Sequence, residues 1–289
     1  MAGLGGLFTV VNLAFAQTWT PASEPGRPLS PIGWVYGRWV SVASSADGIK
    51  LVAARQGHVG YGTDYPLPIY TSADSGMTWT PTSAPNNVWS SVGSSDDGTK
   101  LVAVATSWSC VASSADGTRS VAATSYGPIY TSPDSGATWA QTSAPNNSWS
   151  SVASSADGTK LVAAVISGPI YTSTNSGAIW TMTSAPGIGG QIAVASSADG
   201  IKLVAAAIYD GSGFANPGSI HTSPDSGATW IQTSAPSNSW SSVASSADGT
   251  KLVAAVIPGG VYASRDMGAT WTQTSAPVRP WALIWDPGI

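Results

Sequence analysis

Short apolar runs separated by polar turns recur along the whole chain. One run, LVAAVI at 161–166, lies between the polar stretch DGTK and a Ser-Gly pair. Runs of four to eight apolar residues bounded by Gly, Pro, Asn and Ser are typical of β-strands. No 11-residue window keeps the period of an amphipathic helix. The pattern predicts an all-β protein with almost no helix.

The strands belong to a sequence repeat. The segment WSSVASSADGTKLVAA, which starts at Trp149, returns almost unchanged from Trp240. Its Asp-Gly pair predicts a hairpin, because glycine accepts positive φ and aspartate bonds its own backbone. We call this hairpin the inner turn, and it occurs six times, at Asp47, Asp97, Asp116, Asp157, Asp199 and Asp248.

A second motif, S-x-D-x-G-x-T-W, follows every inner turn except that at Asp97. We call it the outer turn, and its five copies span 72–79, 132–139, 173–180, 223–230 and 264–271. The motif resembles the Asp-box (BNR) repeat of sialidases, some xyloglucanases, sortilin-like ectodomains and photosystem assembly factors. The resemblance implies a β-propeller of four-stranded antiparallel blades, with the box aspartates on the face away from a functional site. The copy at 173–180 departs from the motif at Asn175 and Ile179.

The repeat count predicts seven angular positions, with six as the alternative. Five units are complete, but the unit that begins at Trp89 stops after two strands and leaves an incomplete blade near 89–107. In the six-position alternative, residues 86–145 form one overgrown blade. The segments 17–23 and 281–288 resemble an outermost and an inner strand, so the two termini are expected to close the ring.

Residues 1–16 are apolar and end in the A-x-A pattern of a signal-peptidase site. They are interpreted as a signal peptide or as an extra strand, and residues 17–289 as a single β-propeller domain. A signal peptide would make the protein secreted or periplasmic. The run is too short to span a membrane as a helix.

Composition excludes several classes of site. The net charge is −4, and the five lysines all lie at one position of the inner turn, which spreads them around the molecule; both features argue against nucleic acid. The single cysteine, Cys110, takes the place of a serine in a repeated strand and is predicted to be buried and inert. The two histidines, His58 and His221, are far apart, so the sequence predicts no metal site and no cofactor.

Function is expected where the repeat is broken. Ten of the fifteen acidic residues belong to the turns, whereas two long loops between second and third strands hold Asp64 and Asp210. By chain direction these loops share a face with the connectors between blades, here called the connector-loop face. The candidate ligand-binding residues on this face are Arg38, Arg55, His58, Tyr61, Tyr65, Tyr209, Trp39 and Trp281. Alternatively, the long loops and the region where the ring closes vary in sequence without binding anything. In the same way, the tryptophans that open the inner strands would pack between blades and would not line the mouth of the central channel.

Three functions remain open. The first is a secreted, non-enzymatic module that binds a glycan or a protein through the connector-loop face. The second is a glycoside hydrolase with Asp64 and Asp210 as its carboxylate pair. A sialidase is disfavoured, because the sole glutamate, Glu24, precedes the first blade and no F-R-I-P motif occurs. The third is a scaffold, monomeric or weakly edge-paired, whose incomplete blade offers an open strand edge to a partner.

Overall fold

The structure is a computed structural model that describes residues 29–30, 33–34, 36–59, 63–187, 189–209, 217–257 and 259–276. For the described residues before 39, and for 56–59 and 63–65, the description is of the backbone alone. All regular elements of these ranges are β-strands. No described segment forms a helix long and apolar enough to cross a membrane.

Strands follow the chain in order, and each blade is one antiparallel sheet. β1 (Leu29–Ser30) and β2 (Gly33–Trp34) form a separate hairpin. Blade 1 consists of β3 (Tyr36–Ser44), β4 (Leu51–Val59), β6 (Ile69–Ser72) and β7 (Thr80–Pro81), with β5 (Thr63–Tyr65) paired to the end of β4. A two-stranded sheet follows, here called the half-blade: β8 (Trp89–Ser94) and β9 (Leu101–Ala105).

Four more blades repeat the pattern of blade 1. Blade 2 consists of β10 (Trp108–Ser113), β11 (Ser120–Thr124), β12 (Ile129–Ser132) and β13 (Ala140–Gln141). Blade 3 consists of β14 (Trp149–Ser154), β15 (Leu161–Val165), β16 (Ile170–Ser173) and β17 (Thr181–Met182). Blade 4 consists of β18 (Gly189–Ser196), β19 (Leu203–Tyr209), β20 (Ile220–Ser223) and β21 (Ile231–Gln232). Blade 5 consists of β22 (Trp240–Ser245), β23 (Leu252–Val256), β24 (Val261–Ser264) and β25 (Thr272–Gln273).

The all-β propeller of four-stranded antiparallel blades is confirmed, but the predicted number of blades is wrong. The described residues form five blades rather than seven or six. The incomplete blade near 89–107 is confirmed, and residues 86–145 are not one overgrown blade, because the half-blade and blade 2 are separate sheets. The prediction of seven counted two further positions: the half-blade, which has two strands, and a blade built from the two terminal segments. Residues 1–28 and 277–289, and with them the predicted closure of the ring, lie outside the described residues.

Each inner turn is closed by its own side chains. In the first copy the Asp47 Oδ1 atom accepts hydrogen bonds from the Ser45 hydroxyl and from the Ile49 amide, at 2.6 and 2.9 Å. Gly48 has a φ of 73°, which a residue with a Cβ atom adopts only at a cost. These are the two properties for which the Asp-Gly pair predicts a hairpin.

A ladder of backbone hydrogen bonds joins the inner turns. The Ala46 amide donates to the Asp96 carbonyl at 2.6 Å, and the same position continues through the later turns, from Asp96 to Ala115, Ala156, Ala198 and Ala247. Four lysines strengthen the ladder, since each Nζ donates to the aspartate carbonyl of the next turn, as Lys50 does to Asp97 at 2.9 Å. The half-blade is therefore held in the series of blades through its inner turn.

The outer turns are built on their aspartates. The Asp74 carboxylate accepts the Thr78 amide and hydroxyl at 2.8 and 2.6 Å, and Ser75 has the left-handed φ of 58°. In the divergent copy, the Asn175 Oδ1 atom still accepts the Ile179 amide at 2.8 Å. The Ser75 amide donates to the Ile49 carbonyl, so inner and outer turns lie together on one face, as predicted.

The core lies between neighbouring blades. The interface of blades 2 and 3 packs Val121 and Ile129 of one against Trp149 and Leu161 of the other, all of them buried. The interfaces of blades 3 and 4 and of blades 4 and 5 repeat this arrangement. Blade 1 packs in the same way on the half-blade, through residues that include Trp89.

Candidate functional site

The half-blade leaves one strand edge open. β8 pairs with β9 from Trp89 opposite Ala105 to Ser94 opposite Leu101. In the complete blades a third strand pairs with the other side of the second strand, as β16 does with β15. No described strand pairs with that side of β9.

The direction of the free backbone groups follows from the complete blades. The Val165 amide of β15 points toward the third strand and donates to the Pro169 carbonyl at 3.1 Å. Ala105 holds the same register position as Val165, since each lies opposite the tryptophan of its inner strand. Backbone groups alternate in an antiparallel ladder, so those of Leu101, Ala103 and Ala105 point outward and those of Val102 and Val104 point toward β8.

Leu101 shows what the missing strands would cover. Its side chain is 45% exposed, whereas the equivalent Leu161, Leu203 and Leu252 are 2–5% exposed. Sequence does not explain the difference, because all four leucines follow the same inner turn. Leu101 is exposed because the half-blade has no outer turn to pack over it.

A groove of about 370 Å³ runs beside this edge, between the half-blade and blade 1. Blade 1 contributes Leu51, Thr71, Ser72 and Thr80 to its lining, and the half-blade contributes Ser94, Gly98 and Leu101. Lys50 is the charged residue among those that line it. The groove is thus lined by hydroxyl-bearing and apolar residues with one charged side chain, and it is bordered by an open ladder.

Blade 2 presents an aromatic wall to the half-blade, formed by Trp108, Tyr130 and Trp139. The ring of Trp108 contacts Tyr130 edge-on at 5.2 Å between centroids and Trp139 at 6.1 Å. Trp108 is half-buried, whereas the equivalent Trp149 and Trp240, each covered by a complete blade, are fully buried. The wall therefore lacks part of the cover that its equivalents have.

The predicted residues of blade 1 come together in part. The backbone register places Arg38 opposite Gln56, and places His58 of β4 between Tyr36 of β3 and Asp64 of β5, so these positions share one sheet extension. Tyr65 lies opposite Gly57 in the same extension. Tyr209, which ends β19, is half-buried, while Tyr61, Asp210 and Trp281 lie outside the described residues. The separation of Asp64 and Asp210 therefore stays a prediction without a measured distance.

Arg55 is placed differently from the other candidates. It is buried, and its guanidinium lies 5.6 Å from the ring centroid of Trp39, directly across the ladder. A cation over a tryptophan face is a favourable contact that strengthens when water is excluded. Arg55 thus stabilises Trp39, which is half-buried.

The tryptophans that open the inner strands mostly pack between blades. Trp89, Trp149 and Trp240 are buried. Trp149 and Trp240 each contact the tyrosine of their own third strand edge-on, at 5.6 and 5.3 Å. In blade 4 the buried Ile192 takes the register position of the tryptophan, opposite Ala207. These contacts favour the packing interpretation for the three buried rings.

The remaining reactive side chains are structural. The carboxylates of the turns accept local hydrogen bonds, which lower the pKa of Asp74 from 3.8 to about 2. Burial raises the pKa of the Cys110 thiol to about 12 and lowers that of His221. Among the described residues, no group of three or more His, Cys, Asp or Glu side chains is placed to hold a metal ion. Cys110 is buried, as predicted.

Sequence reasoning proposed an open edge without naming its residues. The signal for Leu101, Ala103 and Ala105 was present, because the unit at Trp89 stops after its second strand. The wall residues Tyr130 and Trp139 carried no separate signal, since they repeat in other blades. Only their position next to an incomplete neighbour distinguishes them.

No protein-family model matches the chain, and no curated protein matches it by sequence. Among solved structures, it is similar to YCF48 from Cyanidioschyzon merolae, with a TM-score of 0.57, 17% identity, and coverage of 85% of this chain and 88% of that one. It is also similar to YCF48 bound to D1 peptide, with a TM-score of 0.55, 16% identity, and coverage of 87% and 88%. A GH74 enzyme from Niastella koreensis matches at a TM-score of 0.36, with 14% identity over 81% of this chain and 56% of that one. The similarity to the two YCF48 structures shows the β-propeller fold.

Proposed function

We propose that the protein is a non-enzymatic binding module that takes up an extended segment of a partner protein as an added strand on β9. The observation that carries the proposal is the open edge of β9 within a series of otherwise complete blades. An edge strand presents unpaired amides and carbonyls that another chain can pair with. Main-chain hydrogen bonds then supply affinity, and neighbouring pockets supply specificity.

Two features make this edge suited to binding. The ladder of inner turns fixes the half-blade between its neighbours, so the edge is rigid before a partner arrives. The groove on one side and the aromatic wall on the other offer places for alternate side chains of an added strand. That a YCF48 propeller is known bound to a D1 peptide agrees with peptide binding by this fold.

A selection from a library of random peptides against the full chain tests the proposal. Enriched peptides are expected to slow hydrogen exchange at the amides of Ala103 and Ala105. They should also bind Ala103→Pro more weakly, because proline removes an outward donor and leaves the bonds to β8 in place. Enriched peptides that protect only other parts of the chain, or the absence of enriched peptides, would overturn it.

A second binding surface is favoured by the β4–β5 extension, where Arg38, His58 and Asp64 share one part of the sheet. We propose that this surface, on the connector-loop face, binds a carbohydrate or a protein. A glycan array probed with the wild-type chain and with Asp64→Asn tests the carbohydrate part. Signals lost in the variant would support it, and an empty array would remove it.

Two further parts of the proposal concern the repeat and the compartment. The five outer turns are Asp-box repeats. This is supported by one hydrogen bond that four of them share, in which the threonine four residues further on donates to the aspartate: Asp74, Asp134, Asp225 and Asp266. The chain is exported after cleavage that follows Ala16, which the A-x-A pattern supports. N-terminal sequencing of protein recovered outside the cytoplasm should begin at Gln17, and retention of Met1 would contradict export by cleavage.

A further inference from the structure

The third strands of the complete blades share one alternating pattern. In four blades an aliphatic residue is followed by tyrosine, and blade 4 has histidine at the tyrosine position. The pairs are Ile69-Tyr70, Ile129-Tyr130, Ile170-Tyr171, Ile220-His221 and Val261-Tyr262. Successive side chains of a strand point to opposite faces, so the two positions contact different neighbouring blades.

The aliphatic position covers the aromatic wall of the next blade. Ile129 of blade 2, with Ala144 of the connector that follows, belongs to the cluster on which Tyr171 and Trp180 of blade 3 pack. Ile220 and Ala235 of blade 4 belong in the same way to the cluster that contains Tyr262 and Trp271 of blade 5. An isoleucine and an alanine thus recur as the cover of each such wall.

The half-blade has neither of these residues. Its chain passes from Ala105 at the end of β9 to Trp108 of blade 2 through two residues, without a third strand and without the connector that carries the alanine in the complete blades. Tyr130 and Trp139 of blade 2 therefore face a neighbour that supplies no isoleucine from a third strand. An added strand would restore the cover if it placed an aliphatic side chain on this side.

The aromatic residue of the third strand packs on the tryptophan that opens the inner strand of its own blade. Tyr70, Tyr130, Tyr171 and Tyr262 each lie edge-on to that tryptophan, at 5.2–5.7 Å between ring centroids. The half-blade has no third strand, so among the described residues no tyrosine of its own sheet packs on Trp89. An aromatic residue on the groove side of an added strand would complete the pair.

Charge restricts the strand further. Lys50 is the charged residue of the groove lining, and its Nζ donates to the Asp97 carbonyl. The rest of the lining is hydroxyl-bearing or apolar. An uncharged segment rich in serine and threonine matches this lining, as the chain's own third strands do.

We infer that the partner segment has an aliphatic–aromatic–Thr–Ser pattern and lies antiparallel to β9, with its aromatic residue opposite Ala103 and its serine opposite Leu101. The register is that of β15 and β16, where Tyr171 lies opposite Ala163 and Ser173 opposite Leu161. The inference rests on the proposed function, because it specifies the strand that β9 accepts. The occupant is a segment of another protein.

A synthetic peptide with the sequence of residues 127–142 is the probe, titrated into the full chain by calorimetry. It contains the outer hairpin of blade 2, GPIYTSPDSGATWAQT. The peptide should bind, and a peptide with Ile129 and Tyr130 exchanged should bind at least about tenfold more weakly, because both side chains then point to the wrong faces. Equal binding of the two peptides would overturn the inference.

Backbone methylation of the same peptide tests the register on the unaltered protein. N-methylation at Tyr130 or Ser132 removes an amide that faces β9, and should weaken binding about tenfold or more. N-methylation at Ile129 or Thr131 alters amides that face away from β9 and should weaken it less. The reverse order would overturn the register.

Protein variants test the aromatic wall. Trp139→Ala removes a ring of the wall and should weaken peptide binding, whereas Trp180→Ala removes the equivalent ring in blade 3, which Ile129 and Ala144 already cover. Equal effects would overturn the role of the wall. If library peptides pair with β9 but the 127–142 peptide does not bind, the inference fails and the proposed function stands. If the free chain already protects the Ala103 amide, the chain fills its own edge and both fail.

Discussion

The glycine of each later inner turn packs against the basic side chain of the turn before it. A Cβ atom added at Gly200 would meet the Lys160 Cβ atom at 2.6 Å, and one added at Gly249 would meet that of Lys202 at 2.7 Å. Gly48 differs, because nothing lies within 4 Å of such an atom. Glycine is thus required at Gly200 and Gly249 both for the backbone conformation and for the close approach of neighbouring blades, and at Gly48 for the backbone conformation alone.

Gly48→Ala and Gly200→Ala separate these two requirements. Both glycines have a similar positive φ, of 73° and 68°. Gly48→Ala should cost about 1–2 kcal/mol of unfolding free energy for the left-handed conformation alone. Gly200→Ala should cost a further 1–3 kcal/mol or so, because it also overpacks a contact with the neighbouring blade. Denaturant unfolding of the two variants measures the difference, and equal losses would contradict the packing account.

Acid should weaken the turns. A hydrogen bond from the Thr78 side chain is the main cause that lowers the pKa of Asp74 from 3.8 to about 2. A hydrogen bond from the Ser155 side chain lowers the pKa of Asp157 to the same value. A carboxyl whose pKa is lowered by folding stabilises the fold fully above its unfolded pKa, and this stabilisation is lost as the pH falls from about 3.8 through about 2. Thermal unfolding midpoints should therefore fall from pH 4 to pH 2. A midpoint that is constant or rises over this range would contradict the assigned bonds.

At the scale of elements, the half-blade differs from its neighbours by what is missing. β9 has the sequence LVAVA and β15 has LVAAV, and both follow an inner turn of the same type. Yet β15 is buried throughout, whereas Leu101 is exposed and Val102 and Ala103 are half-buried. The third strand and the outer turn therefore bury the second strand.

Alanine substitution of equivalent leucines tests this difference. Leu161→Ala should cost about 2–5 kcal/mol of unfolding free energy, as expected for a buried leucine. Leu101→Ala should cost less than about 1 kcal/mol, because its side chain is already in contact with water. Comparable losses in denaturant unfolding would show that Leu101 is covered in solution.

Local chemistry explains which features the sequence could predict. Inner and outer turns were predictable because the side chains of Asp47 and Asp74 bond backbone groups within four residues of themselves. The number of blades was not, because a sequence repeat does not show which segments that are distant along the chain pair into one sheet. The aromatic wall was not predictable either, since the sequence around Tyr130 repeats elsewhere and only the position of this copy beside the half-blade sets it apart.

At the scale of the molecule, one series of inner turns runs through complete and incomplete blades alike. The ladder from Ala46 to Ala247 includes Asp96 of the half-blade, so loss of two outer strands leaves the inner layer continuous. A propeller can therefore have an open outer edge in one blade while its inner turns stay joined from blade to blade. Binding of a strand would add a third strand to the half-blade.

Hydrogen exchange of the free protein measures the open edge directly. The amides of Ala103 and Ala105 should exchange on the order of a hundredfold faster than those of Ala163 and Val165, which hold the same positions in blade 3 and are paired with a third strand. Rapid exchange at β9 beside slow exchange at β15 is the result expected of an open edge. Equal protection of the two pairs in the free chain would contradict the existence of an open edge, and with it the proposed function.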